Sequence, residues 1–373
     1  MEENNFSYQF YKTTADAWEA MYQSLLTAQK SIFWEVYIFV DDEAGNRFVN
    51  LLAEKAKAGL EVKLIVDALG SSKLSSKAEK FLTSSGVVVL RYSRYHPQLK
   101  FWNFVSRLMH RNHRKVLIVD KKIVFLGGVN IKADFKDWDD IFIKLTGKIA
   151  WPLMKGFARS YISSGGQSKD VRRLLYPYLG QGILEQVIPD LSAKLKFIVH
   201  SPSKAKLPRT KLFYLKALTI AKERVNLLSP YYIPDGNFLR GIAIATARGV
   251  QVNIFLPHHA DVQLMELLSR TYFDLTIRAG ANIYLLPKMN HGKALTVDGQ
   301  LGLVGSINLM PRSFSYQEES AVSFTDEKMV SELNGMFDEL KAQAEPLNID
   351  AFRRRHWLQH LREWLAKKLE YFV

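Results

Sequence analysis

Histidine, lysine, aspartate, glycine and asparagine recur twice in this chain at one spacing. His113, Lys115, Asp120, Gly127 and Asn130 form the first set, and His291, Lys293, Asp298, Gly305 and Asn308 the second. In each set the His lies 2 residues before Lys, 7 before Asp, 14 before Gly and 17 before Asn. Imidazole offers a nucleophile or an acid-base group near neutral pH, ammonium a fixed positive charge, and carboxamide a pair of donors. Together they suit a phosphate. A lone histidine on a strand is more often structural than catalytic, but chance does not repeat five residue types at one spacing.

The elements that must position these groups follow from pattern. An apolar run closed by Asp, a short turn, and a second apolar run read as a β-hairpin: Val116 to Val119 with Ile123 to Leu126, and Ala294 to Val297 with Leu301 to Val304. Residues two apart on a strand share a face, so His113 lies beside Lys115 and His291 beside Lys293. Upstream of each hairpin, strands alternate with helices. The first half reads helix 15–30, strand 32–40, helix 45–57, strand 61–66, helix 77–83 and strand 87–90. The second reads helix 212–222, strand 225–228, helix 238–249, strand 250–256, helix 263–280 and strand 282–285. Such alternation predicts mainly parallel sheets covered on both faces.

The paired motifs resemble the phospholipase D superfamily, whose signature is H-x-K-x4-D followed by G-[GS]-x-N. The wider chain, from about Ala15 to Asp326, is similar to bacterial cardiolipin synthases. It shares Tyr37-Ile-Phe-Val-Asp41-Asp42, Asn112 to Asp120, Trp138-Asp-Asp140, Ser229 to Asp235 and Gly305 to Phe314. The resemblance implies two pseudo-symmetric α/β domains, 1–200 and 201–346, with the two motifs meeting at one active site. It implies phosphatidyl transfer through a covalent phosphohistidine, with phosphatidylglycerol yielding cardiolipin and glycerol. Hydrolysis of phospholipid is the nearest alternative, and a nuclease is a more distant one.

By the same resemblance His113 is the nucleophile and His291 the acid, a symmetry that the residues themselves do not break. Lys115, Lys293, Asn130 and Asn308 would hold the non-bridging oxygens as negative charge builds up. Gly128 and Ser306 would bring backbone amides, and in the second site a hydroxyl, towards the phosphate. Asp140, 27 residues after His113, and Glu319, 28 after His291, would orient the imidazoles, with Asp139 and Glu318 as competitors. Asp120 and Asp298 end apolar strands and are expected to be structural. The scheme needs no metal or cofactor. Met310 stands where these synthases usually carry Asp, which puts a supporting or headgroup contact in doubt.

The 373 residues carry a net charge of +14, which calls for an anionic partner. Arg91 to Lys115 holds seven Lys/Arg and no acid, and Phe352 to Val373 holds six against two. The chain contains no cysteine, its first residues lack the apolar core of a signal peptide, and no apolar run is long enough to span a bilayer. Charge alone admits a lipid headgroup, a nucleic acid or a phosphorylated metabolite; the resemblance implies an anionic phospholipid met from the surface, on the cytoplasmic face of a bacterial inner membrane, and not nucleic acid.

Two segments could meet that surface. An insertion of 16 residues relative to the second half falls within the stretch 92–110, which carries Phe101, Trp102 and Phe104 among basic residues. It reads as a membrane-facing loop or as a lid. Residues 347–373 read as a basic amphipathic helix with Trp357 and Trp364 on its apolar stripe, packed on its own domain or lying in the membrane interface.

Overall fold

A computed structural model describes residues 6–93, 109–147, 150–175, 194–202 and 208–370. Its contacts divide the chain into two compact units. The first is 1–185 together with Val199–Ser201 and Gln317–Ala321. The second holds the remainder, including the carboxyl-terminal residues.

In the first unit the chain runs β1 (Ser7–Thr13), α1 (Thr14–Leu26), β2 (Ser31–Val36), α2 (Glu43–Lys57), β3 (Glu61–Asp67), α3 (Ser76–Ser84) and β4 (Val88–Tyr92). It continues with β5 (Arg111–Asn112), β6 (Val116–Val119), β7 (Ile123–Gly127), β8 (Asp139–Thr146), α4 (Trp151–Ser163) and α5 (Ser168–Leu175). The sheet order is β1-β8-β7-β6-β2-β3-β4. Period-two alternation sorts its side chains. Ile32, Trp34, Val36, Leu64, Val66, Leu117 and Phe125 pack with Trp18, Met21, Phe48 and Leu82 from α1, α2 and α3. Phe33 points the other way, onto Phe157 of α4. Helices α1, α2 and α3 begin on side-chain caps: Thr13 accepts from Asp16, Asp42 from Ala44 and Gly45, and Ser75 from Ala78.

In the second unit β9 (Leu195–His200), whose last two residues belong to the first unit, leads to α6 (Arg209–Ile220) and β10 (Arg224–Leu228). Then come α7 (Gly236–Ala247), β11 (Gln251–Pro257), α8 (Gln263–Arg270), α9 (Phe273–Arg278), β12 (Asn282–Leu286), β13 (Ala294–Val297) and β14 (Leu301–Gly305). The chain ends with α10 (Pro311–Ser315), β15 (Gln317–Phe324), whose first five residues belong to the first unit, α11 (Glu327–Gln343), β16 (Glu345–Pro346), α12 (Ile349–Arg353) and α13 (Trp357–Lys368). Its strands follow β16-β12-β11-β10-β13-β14-β15. The stretch β4-β3-β2-β6-β7-β8 of the first sheet is thus reproduced as β12-β11-β10-β13-β14-β15.

The expectation of mainly parallel sheets needs correction. In the first sheet only β2–β3 and β3–β4 run parallel; β1–β8, β8–β7, β7–β6 and β6–β2 are antiparallel. Parallel neighbours need a long crossover, which only the strand-helix-strand stretch supplies. The motif hairpins are too tightly connected for it. The expected 263–280 helix is also broken, between α8 and α9. The terminal segment, read as one helix, is two, α12 and α13.

An asparagine ladder, buried at Asn226 and Asn253, crosses the second sheet. Asn282 donates to Asn253 at 3.0 Å, Asn253 to Asn226 at 2.9 Å, and Asn226 to the Thr296 hydroxyl at 3.1 Å. The strand register places these residues opposite one another, so each amide answers the next.

Candidate active site

Each motif hairpin turns at its aspartate. Asp120 and Lys121 have φ of +52° and +58°, and Asp298 and Gly299 have +50° and +66°. Positive φ at both central positions matches the primed turns that suit twisted hairpins, and Asp tolerates it better than most residues. The Asp120 carboxylate accepts the N–H groups of Gln29, Lys30 and Ser31 at 2.7 to 2.9 Å. Asp298 likewise accepts from Lys222, Glu223 and Arg224 at 2.8 to 2.9 Å. Each motif Asp therefore ties its hairpin to the start of the neighbouring strand. Burial raises the Asp120 pKa, but the N–H groups outweigh it and hold the carboxyl below its usual range.

In the first half-site, Asn112 to Lys115 link β5 to β6. Asn112 accepts the Arg114 N–H on its side-chain oxygen at 3.1 Å, a local turn that sets the backbone on either side of His113. Asn290 does the same for the Gly292 N–H at 2.9 Å. The repeat therefore extends one residue upstream of the histidines. That asparagine pair was legible in the sequence and was not singled out there.

His113 is buried, and its Nδ1 lies 3.1 and 3.2 Å from the two carboxylate oxygens of Glu319. A carboxylate only accepts, so this contact places a proton on Nδ1, and in the neutral imidazole Nε2 is then the nitrogen with the lone pair. The His113 N–H also donates to the Glu318 carbonyl at 2.9 Å. The Tyr37 ring stands edge-on to the imidazole with centroids 5.0 Å apart, and the Lys115 ammonium lies 5.2 Å from the same ring. Lys115 Nζ donates to the His113 carbonyl at 2.8 Å. Asn130 is fixed by the Ile38 N–H on its Oδ1 at 3.0 Å and by the Trp18 indole on its carbonyl at 2.8 Å.

The acid facing His113 is thus the one that follows the second motif, although Asp140 is the acid that follows His113 itself in the chain. Asp140 is buried on β8 of the first unit. Glu318, the competitor of Glu319, points elsewhere: its carboxylate meets Arg114 at 2.5 Å and Ser201 at 2.8 Å.

Behind His113 lies a buried polar layer that motif reading missed. Arg111 forks onto Asp67, with Nε at 3.0 Å from Oδ1, and the Asn112 N–H donates to Asp67 Oδ2 at 3.0 Å. Asn112 Nδ2 donates to Glu35 at 2.9 Å. Arg114, only 1% exposed, donates to the carbonyls of Glu319, Gly156 and His200 and to the Ser160 hydroxyl. A Cβ on Gly156 would lie 2.6 Å from the Val199 side chain and 3.4 Å from Arg114 Nη1, so glycine lets Val199 pack here beside the guanidinium. Burial pushes the carboxyls of Glu35 and Asp67 up, against the opposing pull of Arg114 and Arg111. Three of the seven cations in the 91–115 cluster, Arg111, Arg114 and Lys115, are therefore interior groups and not part of an external basic patch.

In the second half-site His291, Lys293, Ser306 and Asn308 are all buried, and Gly128 has the corresponding buried place in the first. Lys293 Nζ donates to the His291 carbonyl, as Lys115 does to that of His113. The Gly305 N–H donates to the Lys293 carbonyl at 3.1 Å, and the Leu309 N–H to the Ser229 hydroxyl at 3.2 Å. Met310 is the N-cap of α10 and makes no side-chain cap. An Asp there could accept a first-turn N–H, so the departure at Met310 removes a helix cap and leaves the His-Lys-Asn set intact.

Of the surface residues singled out in the sequence, Phe101, Trp102 and Phe104 lie outside the described residues. Trp357 and Trp364 are exposed on α13.

Comparison with known proteins agrees with this geometry. The family model described as "Cardiolipin synthase, PLD-like domain" matches residues 21–155 and 214–341, one match for each motif. A cardiolipin synthase of Clostridium perfringens is 30% identical over 94% of this chain and 73% of its own length. The minor cardiolipin synthase of Bacillus subtilis is 29% identical over 96% of this chain and 87% of its own. Among solved structures, phosphatidylserine synthase of Haemophilus influenzae superposes with a TM-score of 0.72 at 13% identity, covering 98% of this chain and 95% of that one, a likeness of fold. The fold and the doubled motif define a two-domain phospholipase D-type enzyme. The chain belongs to the phospholipase D superfamily, in its cardiolipin synthase group, and is by class a phosphatidyltransferase.

Proposed function

We propose that this chain condenses two molecules of phosphatidylglycerol into cardiolipin and glycerol by two displacements at one phosphorus. In the first, His113 Nε2 bonds to phosphorus, the bond from phosphorus to the glycerol oxygen breaks, and His291 gives that oxygen its proton. In the second, His291 takes the proton of the incoming lipid hydroxyl, the new oxygen bonds to phosphorus, and His113 leaves. Asp140 and Glu319 are the acids that orient the imidazoles. Lys115, Lys293, Asn130 and Asn308 stabilise the charge on the non-bridging oxygens, with Gly128 and Ser306 adding donors. The reaction is at an anionic membrane surface, proposed as the cytoplasmic face of a bacterial inner membrane.

The observation that carries this reading is the His113–Glu319 pair. A buried carboxylate on Nδ1 fixes the tautomer that a nucleophilic Nε2 requires, and it stabilises the cation formed on phosphorylation. The names of the relatives support the lipid substrate.

Purified protein with phosphatidylglycerol vesicles tests it. Cardiolipin and free glycerol in equal amounts are expected from the wild type, and neither from His113→Ala or His291→Ala. Phosphatidic acid without cardiolipin would replace this reading by hydrolysis.

A further inference from the structure

Helix α13 is mounted inside out. Around its axis Trp357, Leu358, Leu361, Trp364, Leu365 and Leu369 fall on one side, and all six are exposed, from 42% to 64%. The side turned inward carries Glu363 and Ala366, the helix's buried residues. An amphipathic helix packed for its own domain would show the reverse.

Polar contacts explain the orientation. Both carboxylate oxygens of Glu363 meet the Arg355 guanidinium, at 2.9 and 2.7 Å. That guanidinium in turn lies 3.2 Å from the centre of the Phe352 ring, which packs on Phe273. Arg353 Nε reaches Asp274 at 2.8 Å, Glu370 accepts from the Tyr272 hydroxyl, and the Lys367 ammonium lies 3.7 Å from the Tyr272 ring centre. These groups bolt α12 and α13 to the start of α9 by the polar side.

From this geometry we infer that the outward face of α13 is a lipid-docking surface that seats this enzyme on an anionic bilayer. The inference rests on the phospholipid-substrate reading for its biological sense and on the geometry of α13 for its physics. Charge complementarity selects the occupant. Arg354, Arg362 and Lys368 are exposed on or beside this helix, while its one acid, Glu363, is buried against Arg355 and the adjoining Glu370 is paired with Lys367. Lys368 lies 5.1 Å from the Trp364 ring centre, so a cation sits on the apolar face itself. A second copy of this chain would bring the same cations against its own, whereas an anionic headgroup layer meets them with opposite charge. The two indoles suit the boundary between headgroup and acyl chain, and the lysine stems can lie along apolar surface with their ammonium groups at the phosphates.

Flotation of the full chain with mixed phosphatidylglycerol–phosphatidylcholine vesicles, and with phosphatidylcholine alone, is the test. Wild type is expected to float with the anionic vesicles. The Trp357→Ser/Trp364→Ser protein should lose binding by roughly tenfold or more, and Arg362→Glu/Lys368→Glu should also bind less. His113→Ala should float as wild type does. Undiminished flotation of both double variants would overturn the docking surface even if cardiolipin is made. Wild-type flotation without any product would overturn the substrate reading and leave the surface standing. A lipid-free dimer, seen by light scattering and abolished by the Trp substitutions, would assign the face to a second copy and overturn the proposal.

Discussion

His113 Nδ1 lies 3.1 Å from Glu319 Oε1, across 206 residues of chain. Glu319→Gln keeps the shape of the side chain and removes the charge that holds the Nδ1 proton. Turnover is expected to fall by roughly 10²- to 10⁴-fold, the range for losing a positioned acid-base system. KM should change far less than kcat, and a melting curve should confirm that the fold survives. A loss confined to KM would show that Glu319 serves binding and not the imidazole.

Arg114 occupies the middle position of the first His-x-Lys, where the second motif has Gly292. Its guanidinium faces Glu318 at 2.5 Å and Glu35 at 3.8 Å, and satisfies three carbonyls. Arg114→Ala leaves buried carboxylates without their cation and should cost about 3–5 kcal/mol of stability in denaturant titration. Arg114→Lys restores charge without the planar fork and should recover only part of that loss. Full recovery by Lys would show that charge alone matters there.

Asp120 supplies a pH signature. Its folded pKa lies below the unfolded value, so its contribution is complete above the ordinary Asp value of about 3.9 and is lost as pH falls through the depressed folded value. Asp120→Ala should cost about 1–3 kcal/mol near neutral pH. The gap between variant and wild type should close in acid. A gap independent of pH would refute the charged-acceptor role.

The ladder in the second sheet makes a separate prediction. Asn253→Leu is similar in size but leaves the buried Asn226 carbonyl without its amide donor. Unfolding should become easier by about 1–3 kcal/mol. Asn282, at the exposed end, should tolerate Ser with less than half that loss, because water can replace its partner. Equal losses at both positions would rule out the burial argument.

Sequence alone determined what is local. The doubled His-Lys-Asp-Gly-Asn spacing, the hairpins that carry it and the alternating helices and strands before it are all short-range patterns, and they were enough to identify the superfamily. It missed β1 and β9, whose alternating residues gain meaning only beside the strands they pair with. It also missed the layer of Glu35, Asp67, Arg111 and Arg114, because buried charges are unmarked in a chain until their partners are known. Tertiary structure alone decided which acid meets His113, since spacing along the chain ranks Asp140 first and space ranks Glu319. It likewise decided which way α13 faces. Amphipathic spacing guarantees that a helix has two sides, but the side turned inward is chosen by what it lands on, and here the Arg355–Glu363 pair holds the polar side down.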